Sequence, residues 1–394
     1  MSEIKVNSIK GVGASSAAIT VNNTDGTCTA NLTNRTNKNL VINGAMLVAQ
    51  RGTTNTNEGY RTVDRFRNAF NGTDEAPTQS QADVAAGTTP YTLGFRKSYK
   101  LTNGNQTGGA GATDYLGFEH HIEAQNVATS GWNFKSASSK LTLSFWIKSS
   151  VAQAFSGSIE TPDSSPARFF KFTTASLSAD TWTKVTLQIP GDSNLNVDMN
   201  TSSGLAIRLY GFIGTTYTSS DSDTETWVTG SNRYANTMTT TWYTTNDATL
   251  EITGVQLEVG SVATDFEHKS YGDTLWDCQR YCAQIGRADP GEDNYTLQGL
   301  QAYGTSEIFG TIGHWPRQMR AKPTVTLVGV IQYTNKAAGN VYSPSSGNYN
   351  RSSRNSVGTT ALTFSGSLFI QGGYAAAFAG GQDGANYIQG EAEL

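Results

Sequence analysis

Lys140-Leu-Thr-Leu-Ser-Phe-Trp-Ile-Lys148 decides the fold, because Leu141, Leu143, Phe145 and Ile147 recur at every second position. Successive side chains of a strand point to opposite faces, so this period predicts one buried face and one wetter one. Trp182-Thr-Lys-Val-Thr-Leu-Gln-Ile189 repeats the pattern and stops at Pro190-Gly-Asp, a turn. Gly204-Leu-Ala-Ile-Arg-Leu209 repeats it again. In Thr249-Leu-Glu-Ile-Thr-Gly-Val-Gln-Leu-Glu-Val259 the apolar phase slips between Ile252 and Val255, which predicts a single bent strand with a bulge at Gly254.

Composition points the same way. Of 394 residues only 15% are charged and 37% are hydrophobic, while glycine alone contributes 41. Thr, Tyr, Phe and Val suit half-buried pleated surfaces, and Gly, Asn and Asp supply tight turns, so the chain is expected to be all-β. Its length predicts more than one core. Net charge is −4 and no basic run is long enough to follow a phosphate backbone, which argues against nucleic acid as a partner. No segment has the apolar core of a signal peptide or the roughly 18 apolar residues of a membrane span, so synthesis in a cytoplasm without membrane insertion is expected. Cys28, Cys278 and Cys282 make an odd count and a poor disulfide framework, and they are read as reduced thiols.

The chain divides into four parts. Residues 1–38 are turn-rich and too poor in apolar residues for a core, so they form an arm that is either disordered or held against a partner. Residues 39–268 carry the sandwich pattern. Residues 269–288 form a link, where Leu275, Cys278, Gln279 and Cys282 follow a helical period from Tyr271 to about Ile285 with Asp273 as the cap. Residues 289–394 return to strand grammar in 323–330 and 361–370, separated by a Ser/Asn/Tyr-rich loop over 334–360, as a smaller distal β-domain.

Several segments together resemble a widespread family of phage tail-fibre and virion appendage proteins. The resemblance rests on Asn39-Leu-Val-Ile-Asn-Gly-Ala-Met-Leu-Val-Ala-Gln-Arg-Gly52, Val63-Asp-Arg-Phe66, His121-Ile-Glu-Ala-Gln-Asn126, Leu141–Lys148, Ile189-Pro-Gly-Asp192 and Ile252–Gly260. It continues through Ala263-Thr-Asp-Phe-Glu-His-Lys-Ser-Tyr-Gly272 and Cys278-Gln-Arg-Tyr281. Pro316-Arg-Gln-Met-Arg-Ala-Lys-Pro-Thr-Val-Thr326 and Gly390-Glu-Ala-Glu-Leu394 look like the distal module that often ends such fibres. It implies a carbohydrate-binding-module-like jelly roll, a distal β-sandwich domain, assembly as a homotrimer, and residues 1–38 facing other tail or adaptor proteins of the virion. Such a protein is assembled in the host cytoplasm and ends up in the particle.

Candidate sites follow from residue chemistry. Sugars present apolar C–H faces to aromatic rings and hydroxyls to Asn, Asp and Arg. The preferred receptor candidates are Tyr333, Tyr342, Tyr349, Arg351 and Arg354, because a polar distal loop has little packing use for them. A secondary set is Trp227, Tyr234, Trp242 and Tyr243, for which a core or interface role is the favoured alternative. Glu119-His120-His121 with Glu123 has metal-friendly residue types, but adjacent strand positions diverge, and no metal or cofactor is expected. Asp221-Ser-Asp-Thr-Glu225 lacks the spacing of a calcium loop and reads as solvated. No nucleophile elbow, triad or marked carboxylate pair points to catalysis, so the chain is not expected to be an enzyme. A tail fibre binding a host surface glycan is therefore expected, ahead of a non-receptor virion component (head decoration, collar whisker or adaptor) and a polysaccharide depolymerase.

Overall fold

The computed structural model describes residues 8–9, 12, 19–21, 28–30, 37–218, 224–230, 234–285, 296–302, 307–328, 331–335, 340–342, 346–348, 351–352, 354, 356–363, 376–380 and 387–394. The chain is nearly all β. In the arm, β1 (Ser8–Ile9), β2 (Ile19–Val21) and β3 (Cys28–Ala30) form a small antiparallel sheet. The alternating segments then build two six-stranded antiparallel sheets. One contains β4 (Thr54–Asn55), β6 (Thr78–Asp83), β7 (Lys97–Thr102), β9 (Lys140–Ser149), β12 (Thr183–Pro190) and β15 (Thr249–Val259), in the order β12-β9-β15-β7-β6-β4. The other contains β5 (Phe66–Asn71), β8 (Tyr115–Glu123), β10 (Ser156–Thr161), β11 (Arg168–Thr173), β13 (Ser203–Ile213) and β14 (Trp227–Thr229), in the order β14-β11-β10-β13-β8-β5. The chain passes repeatedly between the sheets, from β8 to β9 to β10 and from β11 to β12 to β13, which is jelly-roll connectivity.

The alternating positions meet between the sheets. Leu141, Leu143, Phe145 and Ile147 pack with Ile207, Leu209, Leu250, Ile252 and Leu257 in one large core. Burial of these side chains contributes roughly 1.5–3 kcal/mol each against exposure. The bulge falls where the phase slip predicts: Thr253 faces Trp146 and Gln256 faces Ser144, so β15 carries one extra residue. Gly254 there has φ +63° and the Phe95 ring against it, a backbone conformation and a contact that both favour glycine.

Several expectations change. The link helix spans only Tyr271–Cys278 and is capped by Ser270, whose hydroxyl accepts from the Asp273 N–H at 3.1 Å. The Asp273 carboxylate in turn accepts from the Ser270 hydroxyl at 2.6 Å, which orients the capping side chain. Cys282 is not on that helix: Cys282–Ile285 is a strand, β16, because it pairs with Tyr387–Glu391, which also pairs with Thr324–Val328. Sequence-distant pairing of this kind overrides a local helical period. The expected loop over 334–360 contains short strands, Asn340–Tyr342, Ser346–Asn348 and Arg351–Ser352, and the strand Ser356–Thr363 begins within it. They belong to a second distal sheet that also holds Thr296–Ala302, Glu307–His314, Ile331–Asn335 and Ala376–Gly380. One-turn helices at Thr89–Thr92 and Ala124–Ala128 add to the single helix expected.

Candidate functional site

Several charged and polar residues from sequence-distant segments converge on one place. Arg51 and Asp64–Arg65 come from the start of the sandwich, Glu123 from the end of β8, Arg280 and Tyr281 from the turn after the helix, Arg320 from the distal part, and Glu391 and Glu393 from the last residues. Arg51 pairs with Glu391 at 2.7 Å, Glu393 at 2.9 Å and Asp64 at 3.4 Å. Arg65 pairs with Glu393 as well, donates to the His121 carbonyl at 2.6 Å and lies 3.5 Å over the Tyr281 ring. Arg280 grips Glu123 with two bonds of 2.6 and 2.7 Å, and the Tyr281 hydroxyl donates to the same carboxylate at 2.6 Å. Arg320 donates to the carbonyls of Ala392 and Glu393, both at 2.7 Å, and to Thr201 at 3.0 Å. Gln50 donates to the Cys282 carbonyl at 2.8 Å, and the Tyr60 hydroxyl to that of Leu394 at 3.3 Å.

The centre of this junction is buried. The side chains of Asp64 and Arg65 are each 1% exposed. Burial alone would depress the Arg65 guanidinium, but Glu393, Tyr281 and Tyr60 together outweigh that and hold the cation charged. Burial pushes the Asp64 carboxyl up, against Arg51. At Glu123 the upward push of burial is outweighed by Arg280 and Tyr281, which hold the carboxylate ionised. Cys278 and Cys282 are buried beside the cluster as free thiols, and burial raises both. They pack here as small hydrophobes.

A second arrangement lies on the outer face of the β5–β8–β13–β10 strands. Arg67, Glu119, Arg208 and Glu160 stand on successive strands as a ladder of alternating charge. Glu119 receives Arg208 at 3.0 Å and Arg67 at 3.4 Å, and Arg208 also reaches Glu160. Burial would raise the Glu119 carboxyl, but His121, Arg208 and Arg67 together lower it to about 2. Beside this ladder lie residues 214–218 and Tyr234, held by the Gly214 N–H to the Asp114 carbonyl at 2.7 Å and the Tyr234 N–H to that of Tyr217 at 3.1 Å. They leave a cleft of about 210 Å³ whose walls include Tyr115, Tyr217 and Tyr234 and whose base includes Glu119, Arg208 and Tyr210. Tyr115 and Tyr217 meet edge to face at 5.5 Å, Tyr217 and Tyr234 at 6.1 Å, and Arg208 lies 5.4 Å from the Tyr234 ring centre.

The candidates named from the sequence fare differently. Trp242 and Tyr243 are fully buried and belong to the core, so neither presents a ring to a ligand. Gly211 makes room for Trp242, since a Cβ there would sit 2.5 Å from the indole. Trp227 is half-buried against Phe170, with its indole N–H on the Pro190 carbonyl at 2.7 Å. Of that set only Tyr234 lines the cleft, beside Tyr115 and Tyr217, which sequence reading missed. Arg208, a lone charge inside the apolar run Gly204–Leu209, was the available signal. Tyr333 and Tyr342 stand opposite each other on paired strands, Arg351 opposite Gly358, and Tyr349 lies outside the described residues. Arg354 is a structural tie: its guanidinium donates to the Met319 carbonyl and its own carbonyl accepts the Met319 N–H, both at 2.8 Å. Asp221–Asp223 also lie outside the described residues. His120 turns inward onto Phe66 at 4.7 Å, while the outward His121 contacts Ser203 at 3.0 Å. Among the described residues no group of three or more His, Cys, Asp or Glu is placed to hold a metal ion, and no helix is long and apolar enough to cross a membrane.

No protein-family model matches the sequence, and no curated protein does. Among solved structures, the chain is similar to the enzymatically active domain of tailspike protein 4 of bacteriophage CBA120, at 11% identity and TM-score 0.29, over 56% of this chain and 21% of that one. It is also similar to a putative sugar-binding protein of Bacteroides thetaiotaomicron, at 14% identity and TM-score 0.31, over 57% of this chain and 100% of that one. A third likeness is the family 11 carbohydrate-binding module of a cellulosomal cellulase of Clostridium thermocellum, at 11% identity and TM-score 0.25, over 55% and 98%. Likenesses this distant have no bearing on ligand or activity. The jelly roll rests on the strand order of the chain itself.

Proposed function

We propose that this chain is a structural protein of a phage particle, a trimeric tail fibre whose arm faces the virion and whose distal part meets a host surface glycan. One observation carries the reading: Arg51 and Arg65 of the sandwich, together with Arg320, all bind residues 391–394, hundreds of positions away from the sandwich arginines. A fibre that transmits a load from particle to cell needs such a joint, whereas an enzyme needs those groups free. Here the carboxylates of Glu119, Glu123 and Glu393 are held by guanidinium groups, a poor state for a general acid that must pick up and release a proton. Binding rather than cleavage is accordingly the proposed activity. Three weak contacts per fibre would multiply through effective concentration, so each site can be individually weak.

The test is adsorption competition with purified full-length protein on host cells. Dose-dependent slowing of phage attachment is the expected result. Unchanged attachment with folded protein in large excess would move the chain to a connector or decoration role, and release of reducing ends from host polysaccharide would make it a depolymerase. Sedimentation of the intact protein as a monomer would contradict the trimer.

A further inference from the structure

The geometry points to the tyrosine cleft on the sandwich as a second saccharide site, one that takes a single neutral pyranose ring bearing adjacent hydroxyls. This rests on the glycan-binding reading but places a contact on the sandwich, away from the distal residues. Two features of the cleft combine. Its walls include three tyrosine rings set at angles to one another, which suits the C–H faces of a sugar ring. Its base presents a carboxylate and a guanidinium side by side, Glu119 and Arg208, 3.0 Å apart. One vicinal hydroxyl can donate to the carboxylate while its neighbour accepts from the guanidinium, a pairing that neither charge alone provides.

Size and charge narrow the ligand. About 210 Å³ is below the roughly 300–1,000 Å³ of pockets that enclose drug-sized ligands, so the cleft fits one ring and not a chain segment. The charged residues lining the cleft are one carboxylate and one guanidinium, Glu119 and Arg208, which leaves no net positive charge there to attract a sialic or uronic acid. The ladder also immobilises the two base groups, so binding orders little that is not already ordered.

The experiment is saturation-transfer NMR on the full-length protein with free D-glucose, D-galactose, D-mannose and N-acetyl-D-glucosamine in turn, alongside D-glucuronic acid. At least one neutral hexose is expected to bind in the millimolar range, and glucuronic acid more weakly. Tyr217→Ala with Tyr234→Ala should weaken that binding at least tenfold while leaving the melting profile within a few degrees of wild type. If the double variant does not fold, Tyr217→Ala alone carries the comparison. Unaltered hexose binding in the folded variant overturns the site, as does the absence of any hexose binding to wild type. If wild type nevertheless slows phage adsorption, the host-attachment reading survives without the cleft; if hexoses bind through the cleft but adsorption is untouched, the reverse holds.

Discussion

Arg65 shows how much one side chain does at the junction. Its fork reaches Glu393 and the His121 carbonyl while its flat face covers Tyr281, so charge, direction and shape are all used. A lysine keeps only the charge. Removing one partner of a buried pair leaves the other uncompensated, typically about 3–5 kcal/mol. Arg65→Ala is thus expected to lower stability by that order in urea or thermal unfolding, and Arg65→Lys to lose part of it. Equal stability of wild type and Arg65→Ala would mean that the pair contributes no net energy. Trp242 makes the opposite case, a residue whose type suggested a ligand and whose place is the core. Trp242→Ala should cost about 3–5 kcal/mol through the cavity it leaves. Sugar binding measured on the folded fraction should not change.

At the scale of elements, the charged ladder makes stability depend on pH in a direction that can be worked out. Glu119 titrates at about 2 in the fold against an ordinary 4.5, so its stabilisation is fully present above about 4.5 and is lost as pH falls toward 2. His120 is held neutral by burial, well below its ordinary 6.5, so the fold also loses stability as pH drops below 6.5, where the unfolded chain takes up a proton. The melting temperature should therefore fall in two stages on acidification, and Glu119→Gln should flatten the lower one. A single stage unchanged by Glu119→Gln would show that the ladder does not set acid sensitivity. The strands themselves were legible because Leu141–Ile147 alternates in a period that only a strand satisfies, and even the bulge was visible as a phase slip at Gly254. Cys282–Ile285 was not legible. Its local spacing fits a helix, and only pairing with Tyr387–Glu391, some hundred residues later, makes it a strand. The cleft was half legible for the same reason: Tyr234 carries the right chemistry, but Tyr115, on β8, and Tyr217 meet it only through tertiary packing.

In the whole molecule the last four residues matter out of proportion to their number. Glu391 and Glu393 supply the counter-charges for two guanidiniums buried in the sandwich, and the carbonyls of Ala392 and Glu393 hold Arg320. The segments that carry the resemblance were recognisable only taken together, and the pairing between them was hidden, since Arg51 and Glu393 stand 342 residues apart and no local pattern links them. Deleting residues 391–394 leaves Arg51 with Asp64 alone and strips Arg65 of its carboxylate. The sandwich should then melt markedly lower, and limited proteolysis should cut sooner in the chain after Ile285 than it does in wild type. Glu391→Gln with Glu393→Gln removes the charges but keeps the backbone bonds to Arg320, so it separates the two contributions. If the ion pairs dominate, the double variant should behave like the deletion. If backbone docking dominates, it should melt near wild type, and the sandwich would then be joined to the distal part by the strand pairing of Cys282–Ile285 and the grip of Arg320, with the acidic side chains serving to neutralise cations that the fold has already buried.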